Sequence, residues 1–114
     1  MKRQDWQIKF DREMSMATMA RSQKNEGKAR VCARRAAGVV AGEYLQRQGV
    51  STANITVYDR VRMLASWPDL APDVSEAVDH MTMRVDMDYQ LPSDLDLVED
   101  ARWLAETLLP APSD

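Results

Sequence analysis

Four cations, Lys28, Arg30, Arg34 and Arg35, fall within eight residues of one another. On a helix Arg30 and Arg34, four apart, share a face, while Arg35 points roughly 100° round from Arg34. Like charges one turn apart repel mildly. Such a cluster therefore calls for carboxylate partners, or for an anionic ligand gripped by planar guanidinium forks. Both remain open from the residues alone: ion pairs to acidic helices later in the chain, or contacts to the phosphates of a nucleotide or RNA.

His80 is the only histidine, which rules out a two-histidine metal site. Arg84 lies one turn beyond it and Asp79 beside it, so a small polar cluster of His80 and Arg84 is conceivable. Catalysis would require a partner that orients the imidazole; the alternative is a partly buried structural residue. Asp86 and Asp88 belong to an acid-rich stretch that reads as a solvated face, and no Glu-x-x-His pair marks a carboxylate metal centre. Cys32 is the only cysteine. It can form neither an internal disulfide nor a cysteine-based zinc site. Its arginine neighbours would favour a thiolate, whereas its small neighbours suit a buried apolar residue. No phosphate-binding loop, dinucleotide fingerprint or serine nucleophile elbow is present. No assembled catalytic site is legible, and no cofactor or metal is expected.

The elements that must carry these residues are helices. Trp6, Phe10, Met14 and Ala17 share one face of a helix over about Asp5–Gln23. Asn25-Glu26-Gly27 reads as a short break between antiparallel helices. A second helix, about Lys28–Gln48, stops at Gly49. Its apolar positions are small: Ala29, Ala33, Ala36, Ala37, Gly38, Ala41 and Gly42. Two internal glycines cost roughly 1 kcal/mol each relative to alanine. Close approach of neighbouring helices is the expected compensation, which makes this the central helix. A third helix spans about Ile55–Ser66 with Asn54 or Thr52 as N-cap, facing inward with Val57, Val61, Leu64 and Ala65. Trp67-Pro68-Asp69-Leu70-Ala71-Pro72 breaks it. A fourth helix, about Asp73–Tyr89, carries Val74, Val78, Met81 and Val85. The fifth begins after Leu91-Pro92, with Ser93 and Asp96 approximating a capping box, and runs along Leu97, Ala101, Leu104 and Leu108. The one stretch with strand character, Asn54–Tyr58, is short. The fold class is all-α: an up-and-down bundle of about five helices.

The 114 residues suffice for one domain, 1–114, with its core at about 5–109. Eight methionines against one phenylalanine foretell a core filled by flexible thioethers. The net charge of −3 conceals a division. Residues 1–50 hold 11 Lys/Arg against 5 Asp/Glu, and residues 51–114 hold 4 against 13. Either the basic half faces phosphates, or the two halves pair within one chain or across a dimer. No signal-peptide core and no apolar run approaching ~20 residues is seen, so a cytoplasmic protein with no membrane partner is expected.

The order of these features resembles the HEPN domain (higher-eukaryote and prokaryote nucleotide-binding). Those domains have two long antiparallel helices followed by shorter ones in an up-and-down bundle. The alanine-rich stretch Ala29-Arg30-Val31-Cys32-Ala33-Arg34-Arg35-Ala36-Ala37, leading to Tyr44-Leu45 and Gly49, looks like the family's second helix. Tyr89-Gln90-Leu91-Pro92-Ser93-Asp94 and the helix from Leu97 to Leu109 look like its tyrosine, proline turn and acidic last-helix start. Ribonuclease members carry an arginine followed four to six residues later by histidine. His80 has no such arginine, its nearest upstream being Arg62. The resemblance thus implies a non-catalytic member: a module binding nucleotide or RNA, often a homodimer, sometimes partnered with a nucleotidyltransferase.

Overall fold

A computed structural model describes residues 4–83 and 95–110. They form five helices and no strand: α1 (Asp5–Ser22), α2 (Glu26–Arg47), α3 (Val57–Ala65), α4 (Pro72–Thr82) and α5 (Leu97–Leu108). α2 touches every other helix and is the inner rod of an all-α bundle. No helix among the described residues is long and apolar enough to cross a membrane.

The ends of α1 and α2 follow from local chemistry. After α1, Lys24 adopts φ 60° and the Asn25 N–H reaches the Ala20 carbonyl at 2.8 Å. The Lys24 N–H meets the Arg21 carbonyl at 3.0 Å, which completes a Schellman closure. Asn25 then caps α2, its side chain accepting the Lys28 N–H at 3.1 Å. The expected break at Asn25-Glu26-Gly27 is therefore shifted back: Glu26 and Gly27 already lie in the first turn of α2. At the other end, Gly49 takes φ 88° as expected, and Val50 N–H returns to the Leu45 carbonyl at 2.9 Å. Arg47, at the end of α2, reaches Gln4, at the start of α1, at 3.3 Å. The two long helices are thus antiparallel.

The small residues of α2 do what their size allows. Ala29, Ala33, Ala36 and Ala41 are fully buried. At Gly38 an added Cβ would sit 2.2 Å from Val57 Cγ1 and 3.2 Å from the Val57 carbonyl oxygen. At Gly42 it would meet the Arg60 side chain at 3.2 Å. These two glycines are the bed on which α3 lies.

Three expected boundaries differ. α3 starts at Val57, capped by the Thr56 hydroxyl, which accepts the Asp59 N–H at 3.1 Å. Asn54 instead sits in a left-handed turn at φ 67°, and Thr52 is buried with its hydroxyl accepting from Gln46. α4 begins with Pro72 at its first position and ends at Thr82, where Met83 turns extended. The rest of the expected span of that helix, including Val85 and Tyr89, lies outside the described residues. α5 is capped by Asp96 itself, whose carboxylate accepts from the N–H groups of Val98 and Glu99 at 3.1 and 3.2 Å. Ser93 and the Leu91-Pro92 turn also lie outside the described residues. Arg21, at the end of α1, ties this cap to the start of α2 through Asp96 and Glu26.

Candidate functional site

The four cations start on one helix, but the fold gives them different tasks. Arg34 is half-buried and turned toward α4. Its Nε donates to the Met81 carbonyl at 3.3 Å and its Nη2 to the Met83 carbonyl at 3.4 Å. Met81 lies in the last turn of α4 and Met83 just past its end, so the guanidinium sits at the negative pole of the helix dipole. Burial first, then the neighbouring charge of Arg30, pushes the Arg34 pKa below the ordinary arginine value; Tyr58 opposes this. Arginine's intrinsic pKa is high enough that the group stays cationic. Arg34 therefore closes α4 and is not free to grip a ligand.

Lys28 and Arg35 are exposed, and Arg30 is half-buried. None of the four bonds to a carboxylate among the described residues, so the expected alternative of ion pairing to acidic helices 4 and 5 is not seen there. Lys28, Val31 and Arg35 fall at i, i+3 and i+7, and all three are exposed. They make a line of charge, carbon and charge along the outer face of α2.

Beside that line is a pocket of about 200 Å³, walled by Val31, Val57, Tyr58, Val61 and Met81, with Arg34 and Arg35 at its rim. Val31 and Tyr58 in its wall are 43% and 44% exposed, and Met83, whose carbonyl Arg34 reaches, is 40% exposed, large apolar surface that folding has left in water. The Arg62 guanidinium lies 5.8 Å from the Tyr58 ring centroid, which adds a further cation at the edge. Tyr58, Val57, Val61, Met81 and Arg62 were not singled out as site residues in the sequence. The placement of α3 on Gly38 and Gly42 brings Val57, Tyr58, Val61 and Arg62 to the arginines, and the end of α4 brings Met81.

His80 also acquires an unexpected partner. Its Nδ1 lies 2.9 Å from Asp100 Oδ2 on α5, and its Nε2 lies 3.9 Å from Glu76 Oε1. Asp79 does not contact it, and its backbone carbonyl accepts from the Thr82 hydroxyl instead. Arg84, the other half of the expected polar cluster, lies outside the described residues. Asp73, Glu76, Asp100 and Trp103 wall a hollow of about 260 Å³ around His80. Among the described residues no hydroxyl, thiol or lysine lines it, and the carboxylate serves to orient the imidazole. Among the described residues no three His, Cys, Asp or Glu side chains are placed to hold a metal ion. Asp86 and Asp88 lie outside the described residues. Cys32 is buried within the core.

Compared with protein-family models, with curated proteins and with solved structures, the chain finds no match.

Proposed function

We propose that this chain is a non-catalytic binding module, in the manner of a HEPN-like domain without the ribonuclease motif, that receives an anionic partner on its α2–α3 face. One observation carries the reading. Lys28 and Arg35 stand together on one exposed line of α2, Arg30 lies roughly 140° round the helix from Arg35, and none of the three has a carboxylate partner among the described residues. Clustered cations of one sign raise the local potential and draw anions to the surface. The phosphates of a nucleotide or RNA meet that requirement, with Arg30 and Arg35 as forks and Lys28 as a point charge. The antiparallel pairing of two long helices, with an alanine-rich second one, supports the HEPN-like assignment.

Fluorescence anisotropy with a labelled oligouridylate and with a labelled adenine nucleotide tests this directly. Each phosphate neutralised on a single strand adds ~0.7 to the slope of log K against log salt. The double variant Arg30→Gln/Arg35→Gln is expected to bind more weakly and with a shallower slope. Equal, salt-independent binding by both proteins would refute the phosphate reading.

A second reading is a protein-interaction module, acting as a homodimer or as the partner of a nucleotidyltransferase. It is favoured by the exposed carbon of Val31, Tyr58 and Met83 beside the same cations, since phosphates make no use of it. Sedimentation velocity on the wild type and on Val31→Glu distinguishes self-association, which that substitution is expected to abolish.

A further inference from the structure

We infer that the pocket between α2 and α3 seats an apolar anchor side chain from an acidic, amphipathic helix of a partner protein, while Lys28 and Arg35 meet carboxylates that flank that anchor. The inference rests on the reading of this face as anion-binding and adds the class of molecule that brings the anion.

The chemistry of the walls comes first. Apart from its arginine rim and the Tyr58 hydroxyl, the pocket presents carbon from Val31, Val57, Val61 and Met81. A nucleobase placed there would lose water from its ring nitrogens and carbonyls and gain few partners in return. A leucine or phenylalanine side chain loses nothing of the kind, and about 200 Å³ is room for one such side chain, not for a whole nucleotide.

The spacing of charges is the second argument. Lys28, Val31 and Arg35 run along one exposed line of α2. At 1.5 Å per residue that line is roughly 10 Å long, about two helical turns. A helix crossing it with an apolar residue between carboxylates at i, i+3 and i+7 spacing would match it charge for charge and carbon for carbon. The exposed Tyr58 and Met83 widen the apolar strip on the α3 and α4 sides. The carbonyls of Met81 and Met83 hold Arg34, so that side of the rim is in place before binding. A preformed rim reduces the ordering that association requires.

The probe is a synthetic helical peptide of about 16 residues, long enough to hold helix, with glutamate, leucine and glutamate at i, i+3 and i+7. Its controls are the same peptide with glutamine for glutamate, and one with serine for the central leucine. Fluorescence anisotropy against the full chain is expected to show binding of the first peptide at least tenfold tighter than either control. Val31→Glu and Arg35→Glu, both at exposed positions and checked for native melting, are each expected to weaken it at least tenfold. A lysine version of the peptide is expected to recover binding on Arg35→Glu. Equal binding of the three peptides, or wild-type affinity in Val31→Glu, overturns the inference. If the oligouridylate binds and the peptide does not, the anion-binding face stands and the helix partner falls. If neither binds, both fall.

Discussion

Arg34, one of four candidate phosphate contacts by sequence, has its guanidinium on the carbonyls of Met81 and Met83 at the end of α4. Nothing in the spacing of residues 28–35 encodes where a helix forty residues later will stop, so that role was illegible in the sequence. Because Arg34 satisfies carbonyls through a charged donor, Arg34→Met is expected to destabilise the fold by about 1.5 kcal/mol or more. Equilibrium urea unfolding measures it, and a change within a few tenths would show that water replaces the guanidinium freely. Lys24 presents the opposite case. It holds φ 60° in the closure of α1, a conformation that costs a non-glycine residue roughly 1 kcal/mol. Lys24→Gly is expected to raise the midpoint in the same titration, and a lower midpoint would mean that side-chain contacts outweigh the backbone cost. The position of that turn is not legible in the sequence, because Gly27 is the natural breaker there while a lysine takes the left-handed residue.

At the scale of elements, hydrophobic period fixed the five helices well and their ends less well. Gly38 and Gly42 announced a close approach, and α3 makes it. What they could not announce was which helix would come, since a missing Cβ records proximity but not identity. Gly38→Ala would gain about 1 kcal/mol of helix propensity. Its Cβ would also collide with Val57, a clash that overpacking data place at about 1–3 kcal/mol. Net destabilisation is expected, partly relieved in Gly38→Ala/Val57→Ala; a double-mutant cycle by thermal unfolding checks the coupling, and simple additivity would contradict the packing. Capping told a similar story. Thr56 and Asp96 cap α3 and α5 where Asn54 or Thr52 and Ser93 were expected, because several Ser, Thr, Asn and Asp residues compete near each start and only tertiary packing selects one. Asp96 is the one with a pH signature. Partial burial works to raise its pKa, but the Arg21 guanidinium and the N–H groups of Glu99 and Val98 outweigh that and hold it below the usual carboxylate value. A depressed folded value contributes stability above the unfolded pKa of ~3.9 and loses it as pH falls through the folded one. Wild type is therefore expected to lose more stability than Asp96→Asn between about pH 5 and pH 2, followed by denaturant unfolding at each pH; parallel curves would remove Asp96 from the acid response.

At the scale of the whole molecule, the division between a basic first half and an acidic second half does not cancel internally among the described residues. Arg21–Asp96 joins the two halves, whereas Arg47–Glu43 and Arg102–Glu99 are local to their own helices. Lys28 and Arg35 are left facing solvent beside the exposed carbon of Val31 and Tyr58, and the proposed partner would cover that face. The sequence displayed the charges, but the apolar half of the face is assembled from α2, α3 and α4 and had no local signature. The most direct measurement is a titration of ¹⁵N-labelled full chain with the acidic peptide and, separately, with the oligouridylate, followed by amide chemical shifts. The account predicts saturable shifts centred on Val31, Arg35 and Tyr58, with the α1–α5 side of the bundle unmoved. Shifts centred on the groove lined by Phe10, Met14 and Met19, or no saturable shifts with either ligand, would contradict it.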